Sequence, residues 1–212
     1  NQYKYPSLDV RPYFKRNYLY GEAMTHILGY VGRINDRDVE RLKKEEKFAN
    51  YSGSTDMGKL GIERYYEEQL HGTTGFEEVE INNRGKVIRK LREQPATAGK
   101  SIHLTIDFTL QRYIMSLLSG QKGAVVVLDP KDNSVLAMVS TPSYDNNLFV
   151  DGISSSDYKR LLEDPTRPLY SRATQGVYPP ASTVKPFVAV AALTEGVITP
   201  HTTIFDPGYW ML

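Results

Sequence analysis

The sequence predicts an α+β fold in two modules, residues 1–98 and 99–212, and three observations predict it. Two stretches, "FEEVEINNRGKVIRKL" and "GAVVVLDPKDNSVLAMVS", carry apolar runs on either side of turn-rich centres, the pattern of antiparallel β-hairpins. Several others, including "DRDVERLKKEEK" and "DFTLQRYIMSLLSG", carry helical periodicity with capping residues at their ends. Between the two hairpins lies a loop, "QPATAGKS" at 94–101, and the chain differs in character on its two sides. No internal repeat or low-complexity segment interrupts this order.

Taken in order, residues 1–35 are rich in Tyr, Arg and Gly and read as extended segments around a short helix carrying Met24, Ile27 and Leu28. Residues 36–47 read as a solvated helix. In "GKLGIERYYEEQLHG", Ile62, Tyr65, Tyr66 and Leu70 fall at helical spacing between Gly61 and Gly72, and the aromatic side of that helix is expected to dock. The first hairpin places Phe76, Val79 and Ile81 before "NNRG" and Val87, Ile88 and Leu91 after it. Past the loop, "SIHLTI" reads as a strand, and the next helix has Asp107 as N-cap and Gly120 as terminator. The second hairpin turns at Asp129 to Ser134 between strands apolar enough to be central. A Ser-capped helix is expected at 156–164, then a loop through Pro165, Pro168, Pro179 and Pro180, then a helix beginning at Ser182.

Bulk numbers narrow the function. With 26 Lys plus Arg against 25 Asp plus Glu, no strong field points to nucleic acid or an acidic membrane surface. The absence of cysteine removes disulfides, thiolate ligands and thiol nucleophiles. No run reaches the roughly 18 to 20 apolar residues of a membrane span, and "NQYKYPSLDV" lacks the features of a signal peptide. The chain opens without methionine and stops at "FDPGYWML", straight after a turn signal, so it reads as a piece of a longer protein.

Ser-x-x-Lys occurs three times, at Ser119–Lys122, Ser156–Lys159 and Ser182–Lys185, so context must separate them. The first sits at a helix end before Gly120 and the second on an exposed charged face; both read as solvated side chains. The third begins "STVKPFVAVAALTEG", apolar on nearly every side and therefore expected to be buried. Residues three apart share a helix face, which sets the amine within reach of the hydroxyl. Burial disfavours an ammonium, and a neutral amine can take the proton of a serine nucleophile. The helix N-terminus supplies N–H groups for an oxyanion. The competing reading is a serine N-cap and a snorkelling lysine; Pro186, so near the helix start, separates neither.

Other constellations carry less. "GSTDMGKL" at 53–60 approaches a phosphate-binding loop, but Leu60 replaces the metal-binding hydroxyl and no apolar strand leads into it. His26, His71, His103 and His201 are too scattered for a ligand pair, so neither a metal nor a cofactor is expected. "NYS" at 50–52 fits a glycosylation sequon, and the carboxylates of 65–80 read as solvated faces.

"GVYPPASTVKPF" resembles the nucleophile motif of the penicillin-binding proteins, serine acyltransferases that carry Ser-x-x-Lys on a buried helix. "LTIDFTLQRYI" and "GAVVVLDPKDNSVLAMVSTPSYDNNLF" resemble the first helix and sheet hairpin of their transpeptidase domain. "GKLGIERYYEEQLHGTTGFEEVEINNRG" resembles the upstream pedestal of the class B branch. "LFVDGISSSDY" and "RATQGVYPPASTVKP" resemble the elongation transpeptidases of rod-shaped Gram-negative bacteria. Next to the nucleophile Ala181 stands where the family pattern has glycine, "PPGST".

The resemblance implies a periplasmic peptidoglycan D,D-transpeptidase that acts on stem peptides, serves cell elongation and is a β-lactam target, with Ser182 as nucleophile and Lys185 as base. It also implies an N-terminal inner-membrane anchor upstream of Asn1. The partners implied are the elongation glycosyltransferase and the rod-shape scaffold protein, with exposed apolar residues of 1–75 as the docking surface. The family's second motif, Ser-x-Asn or Ser-x-Asp, and its third, Lys-[Ser/Thr]-Gly, do not follow Lys185; "SSD" at 155–157 and "STD" at 54–56 precede it and take no such role. This stretch alone is therefore expected to be inactive. The alternatives are an interaction module, a penicillin sensor or a serine β-lactamase; the pedestal pattern argues against the last two.

Overall fold

The computed structural model describes residues 15–85 and 87–209, as two compact units, residues 1–175 and 176–212. The predicted extended start, residues 1–14, lies outside the described residues. The first unit mixes helices with three two-stranded antiparallel sheets, which is the α+β class read from the sequence.

A 3-10 turn, Gly21–Ala23, leads into α1 (Thr25–Leu28), which carries the buried Ile27, and β1 (Val31–Arg33) follows. Next, α2 (Asp36–Lys44) starts in a capping box: the Asn35 side chain accepts from Asp38 N–H and the Asp38 carboxylate accepts from Asn35 N–H. After α3 (Phe48–Tyr51), β2 (Asp56–Gly58) pairs with β1, Val31 opposite Gly58 and Arg33 opposite Asp56. Leu42, Tyr51 and Met57 close a small core over this ribbon, with Ile34 against it.

The stretch read as one helix forms two, α4 (Gly61–Tyr65) and α5 (Glu67–His71), broken at Tyr66. The expected docking side is also corrected. Tyr65 is 80% exposed, and the buried residue of α4 is Glu63 at 6%. The reason is an ion pair: Arg16 Nε lies 3.0 Å from Glu63 Oε1, and Arg16 donates a second bond to Oε2 at 3.2 Å. Burial is the largest influence on the Glu63 carboxyl and raises its pKa, with Arg16 opposing it.

β3 (Phe76–Ile81) and β4 (Val87–Gln94) form the first hairpin, with register shifts between Glu78 and Val79 and between Glu80 and Ile81. None of its described residues is buried. Residues 101–106 form no strand: their backbone joins no ladder among the described residues, and the nearby bonds are Thr105 Oγ1 to Val135 O and Asp107 N–H to Leu136 O. Helix α6 (Phe108–Leu117) has the predicted cap, the Asp107 carboxylate accepting from Leu110 N–H at 3.0 Å. It packs on β5 (Gly123–Leu128) and β6 (Val135–Thr141), the predicted second hairpin, with Val125 opposite Val139. In this two-stranded sheet neither strand is central, against expectation; β6 is the more buried, with Ala137 and Val139 packed against Ile114. In β5 the pattern alternates: Val125 and Val127 pack against the Ile114 cluster, and Val126 and Leu128, on the opposite face, are exposed.

A 3-10 turn, Asn146–Phe149, precedes α7 (Ser155–Glu163), which is capped by Ser154 rather than Ser156; the Ser154 hydroxyl accepts from Asp157 N–H at 3.0 Å. Tyr144, Phe149 and Leu161 close a further core, with Tyr30 stacked on Phe149 at 4.0 Å. The first unit ends in α8 (Arg172–Gln175).

Polar side chains sew the segment around α1 onto the later elements. Gln111, 1% exposed, donates through Nε2 to Ala23 O at 2.8 Å and Met138 O at 2.9 Å, and its Oε1 accepts from Met138 N–H at 2.9 Å. Thr25 Oγ1 donates to Tyr144 O, and Asn146 Nδ2 to Gly29 O at 2.7 Å. Two glycines permit the close approach of α1 and α4: a Cβ on Gly29 (φ +72°) would lie 1.9 Å from Leu60 O, and one on Gly61 (φ +59°) would lie 2.5 Å from Ile27 O.

Candidate active site

Ser182 and Lys185 lie in the second unit. Pro180 precedes a 3-10 turn, Ala181–Val184, and α9 (Lys185–Thr194) continues directly from it with Pro186 in its first turn, where a missing N–H costs little. Thr183 N–H donates to Pro180 O at 3.1 Å, and Lys185 N–H donates to Ser182 O. Ser182 thus sits inside the 3-10 turn, not at an N-cap, and its hydroxyl has no hydrogen bond among the described residues. That removes the capping role on which the bland reading rested.

Burial of this helix is corrected. Both Ser182 and Lys185 are exposed, and α9 has no buried residue; Phe187 is 75% exposed. Among the described residues of the second unit, 176–209, nothing covers all sides of this one apolar helix. Nor do the two side chains hydrogen-bond to each other in this structure. What the backbone provides is placement: the nucleophile candidate and the amine stand three residues apart across a continuous helical turn.

Ala181 is the unusual backbone position, at φ +46°, in the left-handed region that favours glycine. It is the residue that departs from the family pattern. The departure therefore falls where the geometry of the turn is most demanding.

The competing motifs take ordinary roles. Lys122 Nζ donates to Pro165 O, and Lys159 pairs with Glu163 at 3.8 Å. The stretch resembling a phosphate loop contains β2, and Gly58 N–H donates to the Glu67 carboxylate at 2.7 Å, which occupies a donor that an anion would need. The Asn50 side chain is engaged with Gly72 O and Thr74 N–H, and Ser54 Oγ lies 2.7 Å from His71 Nε2, with Tyr51 stacked on that ring. His26 lines the core edge-on to Tyr144; burial, then the Arg172 charge, lowers its pKa.

Sequence reasoning missed the buried polar anchors, among them Gln111, Thr25, Asn146 and Arg172. A lone glutamine on the inward face of an apolar helix was the available signal for Gln111. Nothing in the short stretch around Arg172 distinguishes it from surface arginines.

Residues 1–104 match the family model of the penicillin-binding protein dimerisation domain, and residues 123–212 match that of the penicillin-binding protein transpeptidase domain. The chain belongs to the penicillin-binding proteins. Over its whole length it is 82% identical to the peptidoglycan D,D-transpeptidase MrdA of Haemophilus influenzae and 64% identical to that of Escherichia coli K12. It spans 33% and 34% of those relatives, about a third of their length. Among solved structures, Pseudomonas aeruginosa PBP2 in complex with WCK 5153 matches 96% of this chain and 40% of its own at 45% identity, TM-score 0.77. The complex between PBP2 and MreC from Helicobacter pylori matches 93% of this chain and 36% of its own at 31% identity, TM-score 0.82. Among the described residues no helix is long and apolar enough to cross a membrane.

Proposed function

We propose that this chain is the pedestal and nucleophile-bearing part of a peptidoglycan D,D-transpeptidase of cell elongation, with residues 1–98 as pedestal and 99–212 as the first part of the transpeptidase domain. The observation that carries the reading is the 82% identity with a peptidoglycan D,D-transpeptidase over the full length of the chain, the Ser182–Lys185 segment included. In the proposed reaction the Lys185 amine takes the Ser182 hydroxyl proton as Oγ attacks the carbonyl of the penultimate D-alanine of a stem peptide. The tetrahedral oxyanion is held by backbone N–H groups, that of Ser182 among them. Collapse expels the terminal D-alanine, which leaves with a proton, and an acyl-serine stays. The amine of a neighbouring stem then attacks the ester and restores the serine, forming the crosslink. A β-lactam enters the first step in place of the donor stem and stalls at the ester.

The rest of the parent protein, about two thirds of its length in the relatives, supplies in this reading the remaining active-site motifs, the cover for α9 and the inner-membrane anchor. The complex that Helicobacter pylori PBP2 forms with MreC supports a rod-shape scaffold protein as partner, with exposed Tyr65 on the pedestal as part of the contact. The elongation glycosyltransferase is the second proposed partner. Labelling the full-length protein with a fluorescent penicillin tests the activity: lasting label on the wild type and none on Ser182→Ala is expected. Label persisting on Ser182→Ala refutes the nucleophile assignment.

A further inference from the structure

A cleft of about 470 Å³, lined wholly by residues of the first unit, is left unfilled. Small-molecule sites run from about 300 to 1,000 Å³, and one water needs only roughly 10–15 Å³. Helices α1 and α4 contribute Ile27, Leu60 and Ile62 to the lining; residues 104–106 and β6 contribute Leu104, Ile106 and Met138. Directional bonds hold these elements at their spacing. Thr25 Oγ1 donates to Tyr144 O at 2.6 Å, Thr105 Oγ1 to Val135 O at 2.7 Å, and Asp107 N–H to Leu136 O at 2.8 Å. The lining therefore does not simply close on itself, and its apolar atoms go without the dispersion contacts that a packed interior gives.

The chemistry of the lining says what fits. No Asp, Glu, Lys or Arg lines the cleft among the described residues. His26 does, and burial, then the Arg172 charge, lower its pKa below the ordinary histidine value, so its imidazole is neutral at neutral pH. A charged ligand would lose its hydration with no opposite charge to replace it. The aliphatic hydroxyls narrow the choice further, since each has one proton to give. Thr25 and Thr105 spend theirs on the carbonyls named above, and Thr174 donates to Ser171 Oγ at 2.8 Å. Ser171 receives that bond and gives none among the described residues, so its own proton is available to an acceptor in the cleft.

We propose that this cleft is a binding site for a small uncharged molecule of one or two rings carrying a hydrogen-bond acceptor, which the Ser171 hydroxyl meets. The site is separate from Ser182 and Lys185 and does not depend on the nucleophile reading.

The test uses the full-length protein with methyl-labelled methionine and two probes of one shape: 3-acetylindole, neutral with a carbonyl, and indole-3-carboxylate, charged at neutral pH. The Met138 methyl resonance, assigned by its loss in Met138→Leu, should shift with 3-acetylindole in a saturable titration. That of Met57, buried in the separate core of Leu42 and Tyr51, should stay in place. Melting temperature should rise with the concentration of 3-acetylindole, as mass action requires. The carboxylate should bind at least about tenfold more weakly. Ser171→Ala should weaken 3-acetylindole about three- to tenfold, the size of one hydrogen bond, and Ile106→Trp, which fills the cleft, at least about tenfold. Ser143→Ala is the control: its hydroxyl bonds Glu22 O outside the cleft, and affinity should not change. A Met138 methyl unmoved up to the solubility of the probe overturns the proposal, as it would if another part of the protein filled the cleft. Equal binding of the two probes, or unchanged affinity in Ser171→Ala, also overturns it. If Ile106→Trp does not fold, Ser171→Ala and the pair of probes decide.

Discussion

Replacing Ala181 by glycine should stabilise the protein, although the change enlarges the freedom of the unfolded chain. At φ +46° an L-residue with a Cβ carries a penalty of about 1–2 kcal/mol, which glycine does not. Against this, glycine lowers folded stability by about 0.4–1 kcal/mol through unfolded-state entropy. The difference favours Ala181→Gly by about 0.5–1 kcal/mol, or a rise of about 1–4 °C in melting temperature for a domain of roughly 150–250 residues. Ala181→Val has the opposite sign, because a β-branched side chain at positive φ is a sterically poor fit, and a loss of about 1 kcal/mol or more is expected. Urea denaturation of the full-length protein, read with both variants beside the wild type, measures the differences directly. A glycine variant less stable than wild type by more than about 0.5 kcal/mol, with valine indistinguishable from alanine, would refute a left-handed Ala181.

Three further outcomes follow from buried polar groups. Gln111→Leu, nearly isosteric and apolar, should cost about 3 kcal/mol in a urea titration because Ala23 O, Met138 O and Met138 N–H all lose their partner. Arg16→Ala should cost about 2–3 kcal/mol by the same measurement, below the range for a fully buried pair because the Arg16 side chain is 41% exposed. For His26, burial and then Arg172 lower the folded-state pKa, so the unfolded chain takes up the proton first as pH falls. Its stabilising contribution is complete above the ordinary histidine pKa and is lost as pH drops from there to the folded value. His26→Gln should flatten that part of the curve when unfolding midpoints are compared between neutral and mildly acidic buffer.

Local signals carried much of the fold. Asp107 as cap, both hairpins and α2 were legible because each depends on residues a few positions apart, and the cap and ladder bonds are local too. Tertiary contacts decided the errors. "SIHLTI" has strand composition, yet a strand needs a ladder partner that residues 101–106 do not find among the described residues. The tyrosines of 65–66 suggested a docking face, but the Arg16 ion pair turns Glu63 inward instead. For the site, spacing returned three equivalent Ser-x-x-Lys pairs; the apolar helix after Ser182 set the third apart, and the resemblance then made it the nucleophile pair. The bond between Arg172 N–H and Ser140 Oγ was illegible, since the two residues meet across 32 positions of sequence.

Gln111, Thr25 and Asn146 tie residues 23–29 to elements far along the chain, within one compact unit. Cutting the chain between 98 and 99 would look clean in the sequence, but it would strip Gln111 Nε2 of Ala23 O, Tyr144 O of the Thr25 hydroxyl and Asn146 Nδ2 of Gly29 O. The segment around α1 thus serves as interior wall for elements that follow it far along the chain, 88 positions on in the case of Gln111. Substitutions there would be inherited as defects of the elements beyond residue 99, and a chain begun at residue 99 would start life with an open seam.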